Sequence, residues 1–152
     1  TSSANKEKTD GVLNNITDLQ LDFWSNFVKY CKEQGRGEDI ASRKPLGQSW
    51  YDVSVGKTDY HGFFNMIGKS TLRIGLYIYN VDAFSRLESK KDLIEQTCGY
   101  KMEWYTSRKN SVAKRVVYST TTDLYDKDKY KDSFEWLINS FDKLKNALEL
   151  LD

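Results

Sequence analysis

The chain has 152 residues, enough for one domain with a sizeable core, and its 39% hydrophobic and 30% charged residues describe a soluble globular protein rather than a disordered one. A net charge of +1 excludes a global positive field that would recruit nucleic acid or membrane, so any such binding has to come from a local patch. No apolar run approaches the roughly 20 residues needed to cross a bilayer, and no signal peptide precedes the first periodic segment.

Residues 1–11 are polar and aperiodic and read as a disordered tail or linker, with residues 12–152 as a single domain. The chain does not begin with Met and has the look of a module cut from something longer. From Asp18 to Gln34, Leu19, Phe23, Phe27 and Tyr30 recur at helical spacing, broadened by Trp24 and Cys31. Thr17 or Asp18 can cap this helix, and Gly35 stands where a C′ glycine belongs. Gly35 to Gly47, holding the only proline, is a loop whose Arg36, Arg43 and Lys44 are expected in solvent. Gln48 to Val55 alternates, with Tyr51, Val53 and Val55 on one side and Trp50, Asp52 and Ser54 on the other.

The stretch Tyr60 to Tyr79 carries the strongest pattern. Leu72, Ile74, Leu76 and Ile78 alternate with Arg73, Gly75, Tyr77 and Tyr79, which marks a strand with one dry and one wet face. Gly68-Lys69-Ser70 supplies a three-residue turn, pairing Ile67 with Thr71 in an antiparallel hairpin. Gly62, Phe64 and Met66 then share the dry face, and His61, Phe63 and Asn65 lie beside Tyr77 and Arg73 on the other. Asp82 is read as the cap of one helix from Ala83 to Cys98, with Phe84, Leu87, Ile94 and Cys98 inward and Gly99 as its stop. Lys101–Tyr105 and Val112–Ser119 are two further strands joined by a polar loop. A last helix runs from Asp132 to about Leu150, with a seam through Tyr130, Phe134, Leu137, Phe141, Leu144, Leu148 and Leu151.

The element order is α-β-β-β-α-β-β-α, which predicts an α+β fold: a five-stranded, mainly antiparallel sheet with helices packed on one face. Cys31 and Cys98 fall in helical patterns and read as buried thiols in a reducing cytoplasm, not as a disulfide framework.

Gln48-Ser-Trp-Tyr-Asp-Val-Ser-Val-Gly56, His61, Arg73-Ile-Gly-Leu-Tyr-Ile78, Glu103-Trp104, Arg115-Val116 and Trp136-Leu-Ile with Phe141 resemble the bacterial domain-of-unknown-function family 4268. The resemblance spans roughly Leu21 to Leu148. It implies an accessory module, since similar domains commonly follow a restriction-endonuclease-like N-terminal domain. It also implies a nuclease-like partner in cis, absent from this chain, and it carries over no catalytic residues.

Enzymatic motifs fail on spacing or context. Gly68-Lys69-Ser70 ends like a phosphate-binding loop, but Phe63 stands where the first glycine is required, and the turn joins two strands. Glu88-Ser89-Lys90 has nuclease spacing but lies on a helix, and no lysine follows Asp52 or Glu103 at the right offset. His61 is the only histidine, and the cysteines lack metal-ligand spacing. It is therefore expected to bond Tyr77 or Asn65 on the sheet. The reading is a non-enzyme with no catalytic residues, no metal and no cofactor.

What survives is the second sheet face: Trp50, His61, Phe63, Asn65, Arg73, Tyr77, Tyr79 and Arg115, extended by Arg108 and Lys109 in the loop. Residues 101–119 hold five basic side chains and one acidic. Rings stack on bases and arginines take phosphates, so DNA or RNA is the candidate ligand. Two competing expectations stand beside it. The first helix can cover this face through Phe23, Trp24 and Phe27, leaving a purely structural module. Alternatively, the face is an interdomain or dimer contact. A nuclease-type enzyme is the third reading.

Overall fold

The structure is a computed structural model in which residues 15–105 and 114–151 are described. Among them the order is α1 (Asn15–Glu33), β1 (Trp50–Val53), β2 (Tyr60–Ile67), β3 (Thr71–Ile78), α2 (Val81–Glu88), α3 (Lys91–Cys98), β4 (Glu103–Tyr105), β5 (Lys114–Thr121), a short 3-10 turn (Lys127–Lys129) and α4 (Tyr130–Glu149). The proposed tail, residues 1–11, the loop residues Arg108 and Lys109, and the expected start of β5 at Val112 lie outside the described residues.

The five strands form one sheet in the order β1-β2-β3-β5-β4, and every ladder is antiparallel. The hairpin has the expected register, with Ile67 opposite Thr71 and Gly68 at φ 59, a conformation that a Cβ would strain. Its turn is tied to the segment after β5, where Thr122 N–H donates to Ser70 O and Leu124 N–H to Lys69 O.

All four helices belong to an α+β layer on one side of the sheet. Phe64, Leu72, Ile74 and Ile78 are fully buried there, beneath Phe134, Leu137, Phe141 and Leu144 of α4. The first helix joins that same layer. Phe27 meets Phe64 edge-on at 5.4 Å, Trp24 stacks on Tyr51 at 5.6 Å, and Phe23 meets Tyr130 and Phe134 of α4. The indole of Trp24 donates to Gln48 O at 2.8 Å, so its one polar atom is satisfied inside the core. Its stripe is thus spent on the dry face and does not cover the other.

Several local readings are corrected. The second helix is two, α2 and α3, broken at Ser89-Lys90. Ser89 Oγ donates to Arg86 O, a local bond that competes with continuation of the helix. Its cap is Asn80, whose Oδ1 accepts from Ala83 N–H at 2.7 Å, not Asp82, which sits exposed in the first turn. The first helix begins at Asn15, three residues before Asp18. The last begins at Tyr130, because the 3-10 turn capped by Asp126 feeds directly into it. β1 stops at Val53, though Val55 is still buried. Cys31 and Cys98 are free and buried, and burial pushes the Cys31 thiol up to about 12.

Arg36 is not simply solvated. After the Gly35 stop of α1 (φ 73), its guanidinium donates to both carboxylate oxygens of Asp142 on α4 at 2.9 and 2.6 Å, and to Asp39 Oδ2 at 3.0 and 2.8 Å. Burial is the largest single influence on the Asp39 carboxyl and raises it, but the hydrogen bond and charge of Arg36, with smaller help from its own backbone and Lys145, together hold it below the ordinary value. A carboxylate with a depressed native pKa stabilises above its unfolded value and loses that contribution as pH falls through the depressed one. Arg36→Ala is expected to cost about 1 kcal/mol at low salt, less at high salt, and to flatten the acid limb of stability against pH. Urea titrations at several pH values measure both.

Candidate functional site

Register places three rows of side chains on the face away from the helices. Trp50, Asn65, Arg73 and Ser119 stand opposite one another, then Asp52, Phe63, Gly75, Val117 and Glu103, then His61, Tyr77, Arg115 and Tyr105. Tyr79 follows just past the end of β3. Trp50, Tyr79 and Tyr105 keep 44–47% of their surface exposed. The centre of the middle row is dry, contrary to the expectation of a wet face, while its ends, Asp52 and Glu103, reach solvent. Val117 is fully buried and Phe63 is 7% exposed. Gly75 is the cause for Phe63: its ring carbons come within 2.7 and 3.0 Å of where a Gly75 Cβ would stand, so the ring occupies the space that a side chain at 75 would fill. Phe63 is therefore the floor of the site and not a free stacking ring.

Above that floor is a groove of about 300 Å³ lined by Trp50, His61, Phe63, Asn65, Tyr77 and Arg115, all anticipated, and by Ser49 and Asp52. Arg73 lies beside it, its Nε donating to Ser119 Oγ at 3.4 Å. Tyr79 reaches the site through His61. A larger hollow, about 870 Å³, lies between the end of α1 and the following loop; it is lined by Lys32, Arg43 and Lys44 among others but by no aromatic ring.

His61 does not bond Tyr77 or Asn65. Its Nδ1 is 2.6 Å from Tyr79 Oη, its Nε2 is 3.3 Å from Asp52 Oδ1, and its ring stacks on Tyr77 at 5.5 Å. Nδ1 is thus within hydrogen-bond reach of the Tyr79 hydroxyl, while Nε2 lies at ion-pair distance from the Asp52 carboxylate. The chain Asp52–His61–Tyr79 thereby locks the imidazole at one end of the groove. Asp52 is the residue that sequence reasoning undervalued. Its alternation put it on this face, but its proximity to His61 needs the pairing of β1 with β2. In the row beside Asp52, Asn65 Oδ1 is buried and has no hydrogen-bond partner among the described residues.

Charge on the face is mixed. Arg73 and Arg115 are offset by Asp52 and Glu103, and Glu103 accepts a hydrogen bond from the Tyr105 hydroxyl. That bond, more than burial, raises the Tyr105 phenol above its ordinary range. Among the described residues no group of three or more His, Cys, Asp or Glu side chains could hold a metal ion, and no helix is long and apolar enough to cross a membrane.

Residues 19–151, which include every element that builds this face, match the family described as Domain of unknown function (DUF4268). The chain belongs to DUF4268. No curated protein and no solved structure matches it. The match contains the groove residues of this DUF4268 domain in full, so the site lies within the family's own unit and not in an appendage to it.

Proposed function

We propose that this DUF4268 domain is a non-catalytic accessory module that contacts single-stranded nucleic acid through its second sheet face, in the service of a nuclease-like domain of a bacterial cytoplasmic protein. The observation that carries the reading is the pairing of rings with guanidinium groups on a face that the helices leave alone. Trp50 and Tyr77 flank a groove wide enough for one base, while Arg73 and Arg115 stand where a strand's phosphates would run. Base–ring stacking is worth about 1–3 kcal/mol per base, so two such rings suffice for a weak, sequence-tolerant grip. A second reading, an interdomain or dimer contact, is favoured by the exposed apolar surface of Trp50, Ile67, Tyr79 and Tyr105 on or beside the same face.

Binding to fluorescent single- and double-stranded DNA and RNA across a salt series tests the proposal. Single strands are expected to bind more tightly than duplex. Trp50→Ala should raise Kd about tenfold at unchanged fold, as judged by circular dichroism. Arg73→Ala should reduce the slope of log K against log salt by about 0.7. Absence of binding at low salt, together with salt-insensitive self-association that Trp50→Ala abolishes, would replace this reading with the second.

A further inference from the structure

The groove carries more chemical information than stacking requires. A sequence-indifferent platform needs rings and cations, yet this one places a carboxylate on its wall. Asp52 lies in the row next to Trp50 and is half-exposed toward the groove, with its side chain 37% accessible. His61 Nε2 lies 3.3 Å from Oδ1, a contact that orients the carboxylate and leaves lone pairs on both oxygens for a ligand. Asn65, in the neighbouring row opposite Trp50, also lines the groove, but its carbonyl oxygen is buried and turned away from a ligand there. The Asp52 carboxylate is therefore the accessible acceptor, and a base seated between Trp50 and the His61–Tyr77 stack must meet it with donors.

Resting on the nucleic-acid reading above, we infer that the groove is a pocket for one unpaired base whose edge presents N–H donors, with guanine preferred and Asp52 as the reading residue. Guanine offers N1–H and N2–H side by side, a match for a carboxylate. Cytosine and adenine each offer one amino group. Thymine and uracil turn carbonyl oxygens to either side of a single N–H, and those oxygens are repelled by the Asp52 charge. The groove, about 300 Å³, has room for one base, and guanine's N1–H and N2–H edge is free only when the base is unpaired, because in a duplex the partner base occupies it.

The test uses short oligodeoxythymidylate strands carrying one central dG, dC, dA or no replacement, titrated against the full chain by fluorescence anisotropy. The dG strand is expected to bind about tenfold more tightly than the all-thymidine strand, with dC and dA between them. Asp52→Asn should remove that preference from both sides, weakening the dG strand and strengthening the all-thymidine strand, whose carbonyl oxygens then no longer face a charge. Tyr79→Phe, which keeps the carboxylate but breaks the far end of the His61 chain, should retain it. Equal binding of all four strands overturns the base preference and leaves the sheet-face reading standing. Loss of preference in Tyr79→Phe as well would assign the selectivity to His61 and overturn the role of Asp52. No binding of any strand overturns both proposals together.

Discussion

Replacing Phe64 with alanine is expected to lower the free energy of unfolding by about 3–5 kcal/mol, the range for deleting a fully buried ring. Phe64 has no exposed surface and sits where three elements meet. Phe27 of α1 approaches it edge-on at 5.4 Å, Phe141 of α4 at 5.7 Å, and Tyr51, its register partner on β1, lies parallel at 6.4 Å. Truncation therefore removes the transfer energy of the ring and also leaves a cavity that none of the three can fill without moving a whole helix. Domains of this size are commonly stable by only about 5–15 kcal/mol, so the variant should lose at least about a fifth of the parent's urea midpoint, and most of it if the parent lies at the low end. A loss under about 1 kcal/mol would mean that α1 closes onto the sheet without the ring, and that the packing of α1 against β2 contributes little.

Gly75→Ala should cost about 1–3 kcal/mol, at the upper end of that range, through crowding instead of a cavity. The added Cβ would stand 2.6 Å from the Val116 carbonyl oxygen and 2.7 Å from Phe63 Cζ. The ring can swing away, but the carbonyl belongs to the β3–β5 ladder and cannot retreat without loosening it. The same methyl displaces the Phe63 ring and fills the groove floor, so oligonucleotide affinity should fall with stability. Urea titration and anisotropy on the same variant separate the two effects. Retained affinity with lost stability would show that the floor is not part of the binding surface. An unchanged urea midpoint would show that the β3–β5 ladder yields at no cost.

The contrast between these two positions explains how far the sequence could be read. Phe64 was placed correctly because alternation along β2 and β3 is a property of neighbours, and a period of two assigns every side chain to a face once a single one is known. The role of Gly75 was illegible, since nothing in its neighbours indicates that Phe63 will lie over it from the adjacent strand. The helix break at Ser89-Lys90 escaped for a related reason. The stripe Phe84, Leu87, Ile94 and Cys98 is buried throughout, so burial continues across a junction where the backbone does not. Arg36 was read as solvated because its partner Asp142 is more than a hundred residues away.

The site divides along the same line. His61, Phe63, Asn65 and Tyr77 share one groove through alternation and a short turn, which are local, whereas Trp50 and Arg115 join them only through the pairing of β1 with β2 and of β5 with β3. The amino-acid sequence by itself determined the succession of the five strands, the hairpin register and which side of β1, β2 and β3 faces the helices. Only the tertiary structure decided that α1 packs on the same side as α4, that Asp52 rather than Tyr77 or Asn65 steadies His61, and that the second face carries a floored groove. Each of those depends on contacts between segments distant in sequence. Such contacts follow from how whole hydrophobic stripes share a limited interior, which no local pattern records.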